Sequence, residues 1–207
     1  MSQLDVDSTR RRGPAAPPLT LYVEGPQDRS ILRAWAYRFM PSRARALLQT
    51  SVILGGRRPA RAIEDFRRRL DTEPEARALC VLDRDDGEER PPDANGYAMD
   101  FFTWGRRHIE SYLLVPDAIR RAIGLPDGDR SIARLLDGHL PSAGDESAWR
   151  RLDAKRVLSS RGLLPLALGR PLPLARIARA TREQELHSDV HALFERLREL
   201  LGEAKAR

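Results

Sequence analysis

Short apolar runs that alternate with amphipathic helical patterns constrain the fold of this chain more than any other feature. The runs LTLYV (19–23), TSVIL (50–54) and RALCVLD (77–83) are typical of strands. The segments between them, 28–39 and 59–70, carry apolar residues at helical spacing. The third run is apolar almost throughout, as in a strand covered on both faces. This β-α-β-α-β order, with short connections, predicts an α/β fold: a mostly parallel sheet with flanking helices.

The second half of the chain has a different character. YAMDFFTW (97–104) predicts a fourth strand, and beyond Ile109 the pattern becomes helical with Gly and Pro breaks. A helix is predicted from Pro116 through Ile123, and then a C-terminal helical appendage with helices near 129–137, 145–162, 173–180 and 183–203. We therefore predict three parts: a disordered basic arm (1–18), an α/β domain (19–125) and the appendage (126–207).

Composition indicates where the protein is located more clearly than what it does. A hydrophobic fraction of 41% can supply a core, and no run of eighteen apolar residues indicates a membrane span. The N-terminus has no apolar signal-peptide core. The single cysteine, Cys80, lies in an apolar run, which predicts a buried thiol and a cytoplasmic location. No Cys/His cluster has zinc-ligand spacing.

The net charge of +6 and pI of about 10.2 come almost entirely from arginine. Of the 36 basic residues, lysines stand only at positions 155 and 205, so 34 are arginine. This usage is compatible with a GC-rich genome. It is equally compatible with a nucleic-acid partner, because guanidinium groups pair with phosphates.

Carboxylates stand where the predicted strands end. Glu24 and Gly25 follow the first strand, Asp28 opens the next helix, and Asp83 and Asp85 follow the third strand. The carboxyl ends of parallel strands meet at one edge of a sheet, so these acids should gather there. Four carboxylates at one edge repel one another unless a cation lies among them. Oxygen ligands favour Mg²⁺, or Mn²⁺.

Some of these residues have simpler explanations. An Asp at a helix start is often a cap, so Asp28 could serve the helix, a metal or both. A DxD pair alone is common in loops. Glu24 has no capping role at the end of a buried strand. Gly55 and Gly56, at the end of the second strand, would give room for a phosphate.

These motifs together carry a resemblance to a known family. LYVEGPQD followed by VLDRDD resembles the TOPRIM domain, the Mg²⁺-binding module of topoisomerases, DnaG-type primases and certain nucleases. RRHIESYLL (106–114) is similar to a segment of OLD-family nucleases and their relatives in anti-phage systems. The resemblance covers about 19–125. It implies a Mg²⁺-dependent nuclease that cleaves DNA or RNA in antiviral defence, with a separate ATPase subunit as a possible partner.

The resemblance also implies roles for individual residues. Glu24 would be a metal ligand or general acid/base, with Asp28 completing the first metal pair. Asp83 and Asp85 would be DxD ligands, with Asp86 beyond them. Glu110 would belong to the second half of the site, although an amphipathic turn could leave it merely solvated.

Lys155 stands out because this chain otherwise uses arginine. A compact ammonium can approach a scissile phosphate where a planar guanidinium does not fit, so we predict a catalytic role. A solvent-facing helix residue is the alternative.

Two arginine pairs follow predicted strand ends, Arg57 with Arg58 and Arg106 with Arg107. We predict that they track a phosphate backbone. A second functional hypothesis stays open: a TOPRIM-fold binding subunit that is regulated by a partner ATPase and is inactive alone.

Overall fold

A computed structural model describes residues 18–84 and 98–203. They form a four-stranded, all-parallel sheet in the order β2-β1-β3-β4. The strands are β1 (Leu19–Val23), β2 (Val52–Ile53), β3 (Arg77–Leu82) and β4 (Met99–Thr103). Helices flank the sheet, so the predicted α/β class is confirmed. The predicted arm lies outside the described residues apart from Pro18.

Ten α-helices are present among the described residues. They are α1 (Pro26–Phe39), α2 (Pro41–Gln49), α3 (Pro59–Leu70), α4 (Pro116–Ile123), α5 (Ser131–Leu136), α6 (Glu146–Arg151), α7 (Lys155–Leu158), α8 (Leu163–Leu168), α9 (Leu174–Ala180) and α10 (Ser188–Leu200). Short 3₁₀ turns occupy Ile109–Leu113 and Glu183–Glu185. Within the described part of the chain, no helix combines the length and apolar character needed to cross a bilayer.

The two central strands are buried on both faces. Alternate residues of a strand point to opposite sides. Leu21 and Val81 therefore join the cluster beneath α1, while Tyr22 and Cys80 join a smaller cluster with Phe66 of α3. Cys80 is fully buried and free, as predicted. Burial, followed by the nearby Glu24 carboxylate, raises the pKa of its thiol to about 12.

The larger cluster continues into the C-terminal helices. Trp35 of α1 belongs to the same cluster as Ile177 and Ala178 of α9 and Phe194 of α10. The division of the chain near Pro126 stays a prediction. In the fold, the apolar core extends across that position.

The element boundaries differ from the sequence-based expectation in several places. A further helix, α2, follows the predicted segment 28–39, and it begins at Pro41 because the fixed φ and missing N–H of proline suit a first helical position. The predicted strand 50–54 shortens to two residues. The predicted helix 145–162 divides into α6 and α7. At the break, the Asp153 side chain accepts the N–H of Lys155 at 3.1 Å, a local bond that competes with helix continuation.

Candidate functional site

The sheet order reverses between its two central strands. From β1 the chain moves outward to β2, then crosses to β3 on the other side of β1 and continues to β4. The carboxyl ends of β1 and β3 therefore form a topological switch point, where open α/β sheets bind their ligands. Glu24 follows β1 and Asp83 follows β3 directly. The two most informative acids of the sequence stand side by side at this crevice.

Glu24 joins the two central strand ends. Its Oε1 accepts the backbone N–H of Asp83 at 2.7 Å. Its own carbonyl accepts the N–H groups of Gly55 and Gly56, each at 2.9 Å. Both glycines have positive φ, 76° and 114°, which an L side chain rarely adopts. The glycine pair therefore wraps the backbone of Glu24, a role that the sequence did not suggest.

The Asp83 carboxylate is 5% exposed and lies where several segments meet. Its Oδ1 accepts the N–H of Ile109 at 2.9 Å, and its Oδ2 is 3.3 Å from the Nζ of Lys155. The Arg57 guanidinium donates to its backbone carbonyl. Asp83 thus connects β3, the loop after β2, the 3₁₀ turn and α7.

Asp28 serves its helix and faces the crevice. It is the third residue of α1, and its Oδ2 accepts the N–H of Gly25 at 2.8 Å, which caps the helix start. Burial, followed by repulsion from Asp83, raises the pKa of its carboxyl from 3.8 to about 6. The capping role is therefore seen directly, and the acid remains within electrostatic reach of Asp83.

Glu110 lies in the 3₁₀ turn and is 3% exposed, so the solvated alternative is wrong. Its Oε1 accepts the Nε2 of Gln27 at 3.2 Å. Its Oε2 is buried and accepts no hydrogen bond from the described residues. Burial raises the pKa of Glu110 from 4.5 to about 7, even though Lys155 opposes this shift.

Lys155 begins α7, and its ammonium reaches the carboxylates although the side chain is half-exposed. Burial lowers the pKa of Lys155, but the charges of Glu110, Asp83 and Asp28 outweigh burial and raise it overall. The solvent-facing alternative does not describe this ammonium. Its partner Asp83 is 72 residues away along the chain.

The arginine pairs divide in the structure. Arg57 lies at the rim through Asp83, and Arg58 is exposed beside it. Arg106 points to the C-terminal helices instead: its Nη2 is 2.7 Å from Glu146, and its guanidinium lies 4.2 Å above the Trp149 ring. Because these two contacts occupy the guanidinium, Arg106 is not included in the proposed phosphate-binding residues.

Arg107 has a backbone contact at the same rim. Its carbonyl accepts the N–H of Arg84 at 3.1 Å, and its side chain is half-buried. Gln27 and the N–H of Ile109 also contact site carboxylates. Sequence reasoning missed both. Gln27 could have been found from its position directly before Asp28. The backbone N–H of Ile109 could not, because any residue other than proline supplies the same group.

Metal binding stays a prediction. Within 18–84 and 98–203, no three His, Cys, Asp or Glu side chains form a group close enough to hold a metal ion. Asp85 and Asp86 lie outside the described residues. The charge of Asp83 adds to the raised pKa of Asp28 and of Glu110, and all three side chains offer oxygen ligands.

Comparisons with known proteins give one structural likeness. No family model matches the chain, and no curated protein sequence is significantly similar to it. The chain is similar to the C-terminal region of the Burkholderia pseudomallei OLD protein, at 15% identity and a TM-score of 0.42. The likeness covers 90% of this chain and 98% of that one. Overlap at this level says nothing about activity, which has to be inferred from the residues at the crevice.

Proposed function

We propose that this protein is a divalent-cation-dependent nuclease that hydrolyses phosphodiester bonds in DNA or RNA. The observation that carries the proposal is the gathering of three carboxylates and one ammonium at the β1/β3 switch point. Asp83 and Lys155 are paired there, and Asp28 and Glu110 lie within their electrostatic reach. This combination offers oxygen ligands for a cation and a positive charge for a phosphate.

The donor set fits Mg²⁺ or Mn²⁺. The acids supply oxygen, the ligand type that these hard cations prefer. The buried Oε2 of Glu110 accepts no hydrogen bond from the described residues, and burial raises the pKa of both Glu110 and Asp28, so a nearby cation would favour their charged forms. We therefore propose Asp28, Asp83 and Glu24 as ligands, joined by Asp85 of the DxD pair. A bound cation would polarise the phosphate and lower the pKa of a coordinated water.

The side chains of the site supply the remaining chemistry. In hydrolysis, the water oxygen forms a bond to phosphorus, one phosphorus–oxygen ester bond breaks, and the water proton passes to a base. Glu110, with a pKa of about 7, can accept or return a proton near neutral pH. Lys155 places a compact positive charge where negative charge develops on the phosphate or its leaving oxygen.

The direct test compares cleavage by the wild type with that by Asp83→Asn and Glu24→Gln. Plasmid, single-stranded DNA and tRNA are incubated with Mg²⁺ or Mn²⁺, with chelator as a blank. We expect each substitution to reduce cleavage by about 100-fold or more, the usual size for a lost catalytic group. Glu195→Gln, an exposed acid of α10, is the matched control and should cleave normally. Wild-type cleavage by both site variants would overturn the proposal.

One observation favours the second hypothesis, a binding subunit that is silent alone. Both oxygens of the Asp83 carboxylate are already engaged, by Ile109 and Lys155, so a local change would have to precede ligation there. A partner ATPase could supply that change. Isolated protein that is inactive with every substrate, and active once the partner is added, would favour this hypothesis. A role in antiviral defence is implied by the sequence resemblance and stays a prediction.

A further inference from the structure

Two long stretches of the chain contain no acidic residue. Residues 29–63 hold eight arginines and no Asp or Glu, and residues 154–182 hold Lys155, six arginines and no Asp or Glu. The chain as a whole is far more balanced, with 30 acidic and 36 basic residues. Positive charge is therefore concentrated in these two stretches, well beyond what the net charge of +6 suggests.

The fold brings parts of both stretches together on one surface. Arg29, Arg33 and Tyr37 follow one another at four-residue spacing along α1, so they share a face of that helix. Arg45 of α2 lies across one groove from this row, and Arg179 of α9 lies across a second groove on its other side. Arg33 and Tyr37 line both grooves. We call these five residues the α1 arginine–tyrosine face.

Three of the four arginines on this face have no acidic partner among the described residues. In the described part of the chain, Arg33, Arg45 and Arg179 form no ion pair. Their neighbours differ: Arg38 reaches Glu183 at 4.0 Å, and Arg43 reaches Glu203 at 3.1 Å. Unpaired guanidinium groups at the edges of two grooves are suited to bind phosphates.

Tyr37 adds a second kind of contact. Its side chain is 47% exposed, whereas the aromatic residues Trp35 and Trp104 are fully buried. The Arg33 guanidinium lies 5.9 Å from the centre of its ring. An exposed aromatic ring between arginines offers a stacking platform for a base. Stacked and paired bases in a duplex do not present their faces to such a ring.

We infer that the α1 arginine–tyrosine face binds single-stranded nucleic acid and leads it to the carboxylate crevice. This inference rests on the proposed function for its direction, because the row of residues on α1 begins immediately after Asp28. At 1.5 Å per helical residue, Tyr37 lies roughly 13 Å along the axis from Asp28. That distance equals about four nucleotides of a stacked strand at 3.4 Å each.

A lipid surface fits the same residues less well. Membrane-binding faces insert several large apolar side chains beside their basic residues. Among the described residues, the large exposed apolar side chains are Tyr37 and Leu166, and Leu166 is not one of the residues that line these grooves. An acidic protein would use the arginines but would not need the stacking ring.

The test measures binding separately from cleavage. Fluorescence anisotropy is recorded in chelator with a 12-nucleotide DNA strand, an RNA strand of the same sequence and the DNA duplex. The variants are Tyr37→Leu and the double variant Arg33→Ala/Arg45→Ala. We expect Tyr37→Leu to weaken single-strand binding about 5- to 150-fold and duplex binding much less. The double variant should reduce the slope of log affinity against log salt by about 1.4, since each contact to a single strand contributes about 0.7.

Arg134→Ala/Arg150→Ala is the matched control, because it removes two exposed arginines of α5 and α6 and changes the net charge equally. Single-strand affinity close to wild type in this control supports the inference, provided that circular dichroism shows all variants to be folded. Equal losses in both double variants, or no effect of Tyr37→Leu, would overturn it. So would polyglutamate or anionic vesicles that displace the strand as well as unlabelled strand does.

Binding and cleavage can fail independently in this design. Glu195→Gln, an exposed acid outside both the face and the crevice, should bind and cleave single strands as the wild type does. Normal binding without cleavage by the wild type would contradict the proposed nuclease and leave the face intact. Cleavage with no dependence on Tyr37 or Arg33 would contradict the face and leave the nuclease intact.

Discussion

At the scale of single residues, Asp28 shows how one carboxylate can cap a helix and still lie within electrostatic reach of Asp83. One of its oxygens caps α1 through Gly25, while its pKa responds to Asp83. The cap fixes the position of the side chain without using its second oxygen. The sequence left open whether Asp28 caps the helix, binds a metal or does both; the fold shows the cap, and metal binding stays a prediction.

Glu110 gives a prediction about the pH dependence of stability. The measurement is made in chelator so that no metal contributes. The pKa of Glu110 rises from 4.5 to about 7 on folding, so the native state holds a proton that the unfolded state releases. The free energy of unfolding should therefore fall as pH rises from 4.5 to 7, and this contribution should be flat above 7. Between pH 5 and 8 we expect a loss of about 2 kcal/mol.

Glu110→Gln removes this titration while keeping the size of the side chain. Urea denaturation at pH 5 and pH 8 should give a pH dependence about 2 kcal/mol smaller than that of the wild type. Glu195→Gln, on the exposed side of α10, should leave the dependence unchanged. The same slope in Glu110→Gln and wild type would mean that Glu110 is ionised in the native state.

At the scale of elements, the sequence predicted best where a local signal decides the boundary. Helices α3 and α4 have the predicted ends, since each begins at a proline and has a clear apolar pattern. The predictions failed where tertiary contacts decide. The strand β2 has only two residues, since α2 runs on to Gln49 before it and the Gly55-Gly56 turn folds back on Glu24 after it.

The residues of the candidate site also fall into those that the sequence could place and those that it could not. Glu24 and Asp83 could be placed from topology alone, because parallel strand ends meet at one edge. The contacts of Lys155 with Asp83 and of Gln27 with Glu110 join residues 72 and 83 positions apart. No local pattern encodes such pairings. The direction of Arg106 toward Trp149 depends on the C-terminal helices for the same reason.

The junction between α7 and α8 gives a prediction at this scale. Gly162 precedes α8, and a Cβ there would lie 2.8 Å from backbone atoms of Arg156 and Val157. Gly162→Ala should therefore push α7 away and cost about 1 to 3 kcal/mol of stability. Because α7 carries Lys155, the ammonium should also move from Asp83.

Gly25→Ala is a matched control for this stability effect. Gly25 also precedes a helix, but a Cβ there would meet its nearest atom, the Oδ2 of Asp28, at 3.6 Å. Its φ of −139° is open to any residue. Thermal unfolding should show a much smaller change for Gly25→Ala. Equal changes in the two variants would show that the junction can relax around a methyl group.

At the scale of the whole molecule, the core is continuous across the predicted boundary near Pro126. Ile31 and Trp35 of α1 share one apolar cluster with Ile177 of α9 and Phe194 of α10. Without the C-terminal helices, this face of α1 would expose large apolar side chains. Each such side chain is worth about 1.5 to 3 kcal/mol when fully buried.

We therefore expect a fragment of residues 18–125 to lack a cooperative unfolding transition. Net stabilities of domains are only about 5 to 15 kcal/mol, so losing several buried contacts removes most of the margin. Circular dichroism during heating checks this expectation, with residues 18–203 as the control. A sharp transition in the shorter fragment would instead support an independent domain ending near 125.

The pairing of Lys155 with Asp83 has a consequence for the order in which the protein is made. A ribosome emits the acids at 24, 28, 83 and 110 well before it reaches position 155. The nascent polypeptide therefore carries its carboxylates without the ammonium that lies among them in the finished fold. Under the proposed function, a nascent chain that has not yet reached position 155 is therefore an incomplete hydrolase.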